Sequence, residues 1–116
     1  MQTAPQSIYD HPHYYDILFG WDRSAEALFL DALFQIHGLH IGDHLLEVAC
    51  GTGQVGLKLA RFGWTVTGLD LRESMLRFFS AKAEAENLDI KMHCGDMTDF
   101  RLDKLADGAF CPVGSF

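Results

Sequence analysis

The chain has 116 residues, of which 48% are hydrophobic and 22% are charged, and this is ordinary usage for a globular domain. Its length allows one modest domain with a core and excludes a cofactor domain joined to a separate substrate domain. Nine Lys and Arg residues against sixteen Asp and Glu residues give a formal net charge of −7. This balance argues against a protein that neutralises nucleic-acid phosphates, so small neutral or cationic ligands fit better.

Cysteine usage and the first twenty residues predict a cytoplasmic protein. The three cysteines form no CxxC pair, and an odd number cannot all be paired within the chain. The N-terminal residues have neither a basic start nor an uninterrupted apolar stretch, and no segment has the length of a membrane-spanning helix. The histidines and cysteines lack the spacing of a tetrahedral site, so no bound metal is expected.

Hydrophobic periodicity predicts helices and strands in alternation after an irregular start. Residues 1–22 alternate aromatic and polar side chains and are expected to form an arm. The first helix begins at Ser24 as N-cap and ends at Gly38, with one apolar face formed by Ala25, Leu28, Phe29, Ala32, Leu33 and Ile36. Further helices are predicted over residues 54–62 and 73–86, a helical turn over 100–105, and strands over 45–49, 64–70, 90–94 and 108–111. This alternation predicts a doubly wound parallel α/β sheet with right-handed crossovers.

A glycine-rich loop between the first strand and the next helix points to a nucleoside cofactor. Its sequence, residues 51–56, lets backbone amides approach a ligand, and Asp70 ends the next strand, where a carboxylate can accept hydrogen bonds from ribose hydroxyls. The alternative is that the glycines only permit a tight turn and Asp70 only caps the next helix. Glu47 repels a pyrophosphate and attracts an ammonium or sulfonium group, which favours S-adenosylmethionine over NAD.

The segment Leu45-Leu46-Glu47-Val48-Ala49-Cys50-Gly51-Thr52-Gly53 resembles the first motif of the class I S-adenosylmethionine-dependent methyltransferases. Ala49 stands where the family has its first glycine. Residues 67–76, 93–97 and 107–111 resemble the second, third and fourth motifs, in the family's order. The resemblance implies a Rossmann-like sheet in strand order 3-2-1-4 and methyl transfer to a small-molecule acceptor. The charge balance and the segment lengths predict no nucleic acid or membrane as partner.

The resemblance also implies roles for individual residues. Glu47 would hold the methionine amino group, Asp70 would bind the ribose diol, and the backbone at Gly51 and Gly53 would pass beside the methionine and the ribose. The resemblance further implies adenine contacts from Leu71, Met75, Asp96 and Met97, a methionine-end contact from Cys111 or Phe110, and closure over the cofactor by a tyrosine of the arm, of which Tyr14 is favoured. Plain packing is an equal interpretation for Leu71, Met75 and the arm tyrosines. No catalytic residue is assigned, because methyl transfer depends mainly on positioning and desolvation.

The resemblance covers about the first half of the family's domain. We therefore expect an arm over residues 1–22 and a truncated cofactor-binding domain over residues 23–116, with an exposed fourth strand that pairs two copies into a homodimer. Two alternatives stay open. One is a catalytically inactive remnant that binds S-adenosylmethionine or S-adenosylhomocysteine and dimerises, and the other is an NAD-dependent oxidoreductase.

Overall fold

A computed structural model describes residues 23–95 and 106–111 of the chain. Within these ranges the elements are α1 (Ser24–Ile36), β1 (His44–Val48), α2 (Gln54–Arg61), β2 (Thr65–Asp70), α3 (Glu73–Ala85), β3 (Lys91–Cys94) and β4 (Gly108–Phe110). Each helix and strand predicted within these ranges is present, with boundaries that differ by about one residue. The predicted arm over residues 1–22 and the helical turn over 100–105 lie outside the described residues.

The four strands form one parallel sheet in the order β3-β2-β1-β4, which confirms the predicted topology. Glu47 of β1 is paired in register with Gly68 of β2, and Asp70 is paired with Cys94 of β3. The carboxyl ends of β1 and β2 therefore lie side by side. This edge is where ligands bind in open α/β sheets, so the sheet brings the glycine-rich loop and Asp70 to one place.

The core lies between one face of the sheet and the helices. Leu45, Val66 and Phe110 on that face belong to one buried cluster with residues from all three helices, including Ala27, Val55, Leu59, Leu76 and Phe79. In the part of the chain that the structure describes, no helix is long and apolar enough to cross a membrane.

Helix α1 is present as predicted, but its buried face is not the predicted one. Leu28, Phe29 and Ile36 are 57%, 64% and 79% exposed, although the periodicity placed them on the apolar face. The opposite side of the helix packs on the core through Ala27, which is completely buried, and Phe34. Helix α1 carries apolar residues on several of its own sides, so the 3.6-residue period alone does not select the packed side.

Trp64 and Asp31 orient α1. The indole Nε1–H of Trp64 donates to Oδ1 of Asp31 over 2.9 Å, and the Phe34 ring packs edge-on against the rings of Trp64 and Phe110, with centroids 6.0 and 6.3 Å away. A buried indole N–H requires an acceptor, so this bond favours the side of α1 that carries Asp31 as the inward side, together with the packing of Ala27 and Phe34. The residue before the helix, Arg23, is its N-cap, and Ser24 is the first helical residue, so the helix begins one position earlier than predicted.

Phe79 of α3 supports the glycine-rich loop from below. Its ring is completely buried and fills space that three glycines leave open. A Cβ at Gly53 would collide with the ring, one at Gly68 would lie 2.8 Å from Cε2, and one at Gly56 would lie 3.2 Å from Cζ. The glycines therefore serve the close packing of the loop on α3 as well as the approach of a ligand.

Candidate functional site

Asp70 lies at the end of β2 with both carboxylate oxygens engaged by backbone N–H groups. The Gly51 N–H donates to Oδ2 over 2.8 Å, and the Arg72 N–H donates to Oδ1 over 2.9 Å. Each carboxylate oxygen has further acceptor capacity beyond one such bond. The side chain is half-buried, so Asp70 can hold the glycine-rich loop and still accept hydrogen bonds from a diol.

The loop from β1 to α2 turns sharply through left-handed backbone conformations. The Gly53 N–H donates to the Cys50 carbonyl over 2.9 Å, and the Cys50 N–H donates to the Leu69 carbonyl of β2 over the same distance. Gly51 and Gly53 have φ angles of 55° and 75°. Helix α2 begins directly afterwards, and no side chain caps its N-terminus. The loop thus brings backbone donors to the sheet edge beside Asp70.

Ala49 has a φ angle of 53°, in the region that favours glycine. It stands at the position where the resembling family has its first glycine. A left-handed conformation costs an L-residue about 1–2 kcal/mol, so the alanine adds strain to the loop.

Glu47 is completely buried, and its carboxyl oxygens accept no hydrogen bond of good geometry from the described residues. Oε1 lies against Gly56 of α2. Burial raises the pKa of Glu47 from 4.5 to about 8, while the charges of Arg23 and Lys82 and the Gly56 N–H lower it. The side chain is therefore protonated at neutral pH in this arrangement.

The structure brings some of the other predicted site residues to the same edge and not others. Leu71 follows Asp70 and is 67% exposed, so an apolar side chain is available there. Met75 is completely buried, which fits its alternative interpretation as a packing residue. Cys111 is exposed, and partial burial and then the Glu47 charge raise the pKa of its thiol. Tyr14, Asp96 and Met97 lie outside the described residues.

The sequence did not indicate Arg23 as a residue of this region. Its side chain is only 4% exposed, and its Nη1 donates to Oε1 of Gln54, the first residue of α2, over 3.0 Å. The contact joins residues 31 positions apart, and no local pattern signals it.

Sequence comparison finds known proteins that are similar to this chain. A sequence profile described as a methyltransferase domain matches residues 45–115. The dTDP-3-amino-3,6-dideoxy-alpha-D-glucopyranose N,N-dimethyltransferase of Streptomyces fradiae is 37% identical over 118 residues, which cover 97% of this chain and 44% of that protein.

Two solved structures have the same architecture. The glycopeptide N-methyltransferase MtfA, complexed with sinefungin, is 29% identical with a TM-score of 0.64, over 78% of this chain and 36% of that one. An S-adenosylmethionine-dependent methyltransferase from Clostridium acetobutylicum ATCC 824 is 24% identical with a TM-score of 0.74, over 90% of this chain and 44% of that one, and supports the fold alone. The chain spans less than half the length of these relatives.

Replacement of Ala49 by glycine is expected to stabilise the chain by about 0.5–1 kcal/mol, because it relieves the left-handed strain. The measurement is the free energy of unfolding in urea. Asn87, with a φ angle of 56°, provides the matched control: asparagine tolerates this conformation, so Asn87→Gly should change stability less. Destabilisation by Ala49→Gly would contradict the strained turn.

The buried Glu47 carboxyl predicts that stability falls as pH rises. The folded chain retains a proton up to about pH 8 that the unfolded chain releases from about pH 4.5, so stability is highest below 4.5 and declines to about 8. Glu47→Gln should remove this decline and be roughly 3 kcal/mol more stable than wild type at pH 7. Urea unfolding from pH 4 to 9 measures it, with the exposed Glu84→Gln as control. Parallel curves for wild type and Glu47→Gln would disprove the assignment.

Proposed function

Because the chain belongs to the methyltransferase domain family, we propose that it binds S-adenosylmethionine and supplies the cofactor site for methyl transfer to a small-molecule acceptor. Its cofactor is S-adenosylmethionine. The observation that carries the proposal is the placement of Asp70, whose carboxylate ends β2 beside the left-handed glycine-rich loop. A half-buried carboxylate fixed at this edge suits the ribose hydroxyls of an adenosine group.

The described residues fit this cofactor by chemistry. Asp70 accepts hydrogen bonds from the ribose diol, the backbone at Gly51 and Gly53 leaves room beside the methionine and ribose, and the exposed Leu71 covers the adenine. S-adenosylmethionine supplies a methyl group on a positively charged sulfur. The chain binds and orients the cofactor and excludes water. Most of the rate enhancement of such a transfer arises from positioning and desolvation.

Other residues are proposed to contact the methionine and adenine ends of the cofactor. Contact of Glu47 with the methionine amino group requires its side chain to turn out of its buried position against Gly56. A positive charge bound close to Glu47 lowers its pKa and favours the ionised form. Cys111 would line the methionine end, and Asp96, Met97 and Tyr14 keep their predicted roles toward the adenine and as part of a lid.

The acceptor is proposed to be a small molecule with an amino group. Two of the relatives are N-methyltransferases by name, one for an amino sugar nucleotide and one for a glycopeptide. Neutral amines carry the lone pair that attacks the methyl carbon. Binding of the cofactor without transfer is the second candidate, since the chain spans less than half of the relatives' length.

Titration with S-adenosylhomocysteine tests the cofactor site. We expect micromolar binding to the chain and none of NAD, and a loss of about 2 kcal/mol, roughly thirtyfold, for Asp70→Ala because charge-assisted hydrogen bonds are removed. Calorimetry measures both, with the exposed Asp89→Ala as matched control. Unchanged affinity for Asp70→Ala would remove Asp70 from the site, and binding of NAD alone would overturn the proposed function.

Turnover of S-adenosylmethionine labelled in its methyl group separates transfer from binding alone. We expect the labelled methyl group to pass to small amines at a higher rate than to matched alcohols. The transfer should be lost with Asp70→Ala. Binding of S-adenosylhomocysteine without transfer to any acceptor in such a panel would favour the second candidate.

We propose that two copies of the chain form a homodimer through β4. Within the described residues this strand pairs with β1 and has no second neighbour. An open strand edge is a template for another strand, and a two-fold pair would satisfy both edges. We expect the mass in analytical ultracentrifugation to rise from one chain to two with concentration. A single-chain mass throughout the series would contradict it.

A further inference from the structure

Arg23, the residue that precedes α1, is a buried cation in the interior next to the loop. Its side chain is 4% exposed, and arginine is rarely so buried without partners. Nε and Nη2 donate to the two carboxylate oxygens of Glu26 over 2.5 and 2.8 Å. This bidentate pair fixes the plane of the guanidinium, and therefore the direction of its remaining donors.

One of those donors reaches the glycine-rich loop. Nη1 donates to Oε1 of Gln54 over 3.0 Å, and Gln54 follows Gly53 directly as the first residue of α2. The start of α1 is therefore connected to the first turn of the helix that ends the loop. No side chain caps α2, and the contact from Arg23 is a polar link that fixes this helix end from outside the loop.

Arg23 also acts on Glu47 through charge. Burial is the largest influence on the pKa of Glu47 and raises it, and the Arg23 charge is the strongest influence that lowers it. The other charges that act on Glu47 are Lys82 from α3, which also lowers the pKa, and Asp70 of β2, which raises it. Arg23 is thus the strongest of the charges that favour the ionised form of Glu47.

We infer that Arg23 is a positioning residue of the cofactor loop: it holds Gln54 at the start of α2, directly after Gly53. The inference rests on the proposed function, because the loop is the proposed cofactor site. Arg23 acts on the loop through its hydrogen bond to Gln54.

Three variants separate the two actions. Arg23→Met removes the charge and the hydrogen bonds, Arg23→Lys keeps the charge but loses the planar fork, and Gln54→Leu leaves Arg23 in place but removes its acceptor on α2. Arg61→Met is the matched control, because Arg61 makes a bidentate pair with Glu86 over 2.5 and 2.6 Å at the surface, with 45% and 36% of the two side chains exposed.

The first readout needs no cofactor. Amide hydrogen exchange of residues 50–54 should accelerate at least about tenfold in Arg23→Met and Gln54→Leu and stay at the wild-type rate in Arg61→Met. The pH at which stability stops declining should move upward in Arg23→Met, stay near wild type in Arg23→Lys, and have no counterpart in the Glu47→Gln background. If Arg23→Met fails to fold, Arg23→Lys and Gln54→Leu still give the loop exchange rates.

The second readout is the affinity for S-adenosylhomocysteine at pH 7. It should fall about tenfold in Arg23→Met and Gln54→Leu, with partial recovery in Arg23→Lys. Wild-type exchange rates and an unshifted pH profile in the Arg23 variants would overturn the inference, whether or not the ligand binds. Failure of wild type to bind S-adenosylhomocysteine would overturn the proposed function, while the exchange rates and pH profile would still decide the role of Arg23.

Discussion

The hydrogen bonds of Asp70 are the interactions on which the rest of this site depends. Asp70 ends β2, and its carboxylate accepts the N–H of Gly51 in the glycine-rich loop and the N–H of Arg72 before α3. Its backbone carbonyl accepts the N–H of Gly95, which follows β3. Hydrogen bonds to a charged acceptor contribute about 1.5–3 kcal/mol each. The Asp70 side chain therefore holds two segments at the carboxyl edge of the sheet and its backbone holds a third, and a diol bound there would share an acceptor that is already fixed in place.

The sequence predicted the elements and this edge because both depend on local signals, whereas the strand order was implied by the resemblance to the methyltransferase family. Strand and helix periods, glycine positions and the acid at the end of a strand are properties of short windows. The turn residues behave as their types require: Gly53 takes a left-handed conformation, and so does Asn87 at the end of α3. Strands alternating with helices then leave few topologies, and the parallel order observed is one of them.

The sequence did not predict contacts that join distant windows. Helix α1 is apolar on several sides, and its inward side is favoured by the hydrogen bond between Asp31 and Trp64, which lies 33 residues later. The support of the loop by Phe79 depends on how three separate glycines meet one ring. Ala49 stands where the family has its first glycine, and its φ angle of 53°, which the sequence does not reveal, places it in a conformation that costs an alanine energy.

Glu47 shows how the site trades stability for ligand chemistry. A fully buried carboxyl without a good hydrogen bond destabilises a fold, and a glutamine or an apolar side chain of similar volume would cost less. Residues that break the rules of a stable core are most often those retained for function. With Arg23 and Lys82 as the charges that favour its ionised form, Glu47 is an acid that a further positive charge can ionise, and the sulfonium and ammonium groups of the proposed cofactor carry that charge. In the proposed complex the side chain turns out of its buried position against Gly56 toward the cofactor, so ionisation there would relieve part of the cost that burial imposes on the unbound fold.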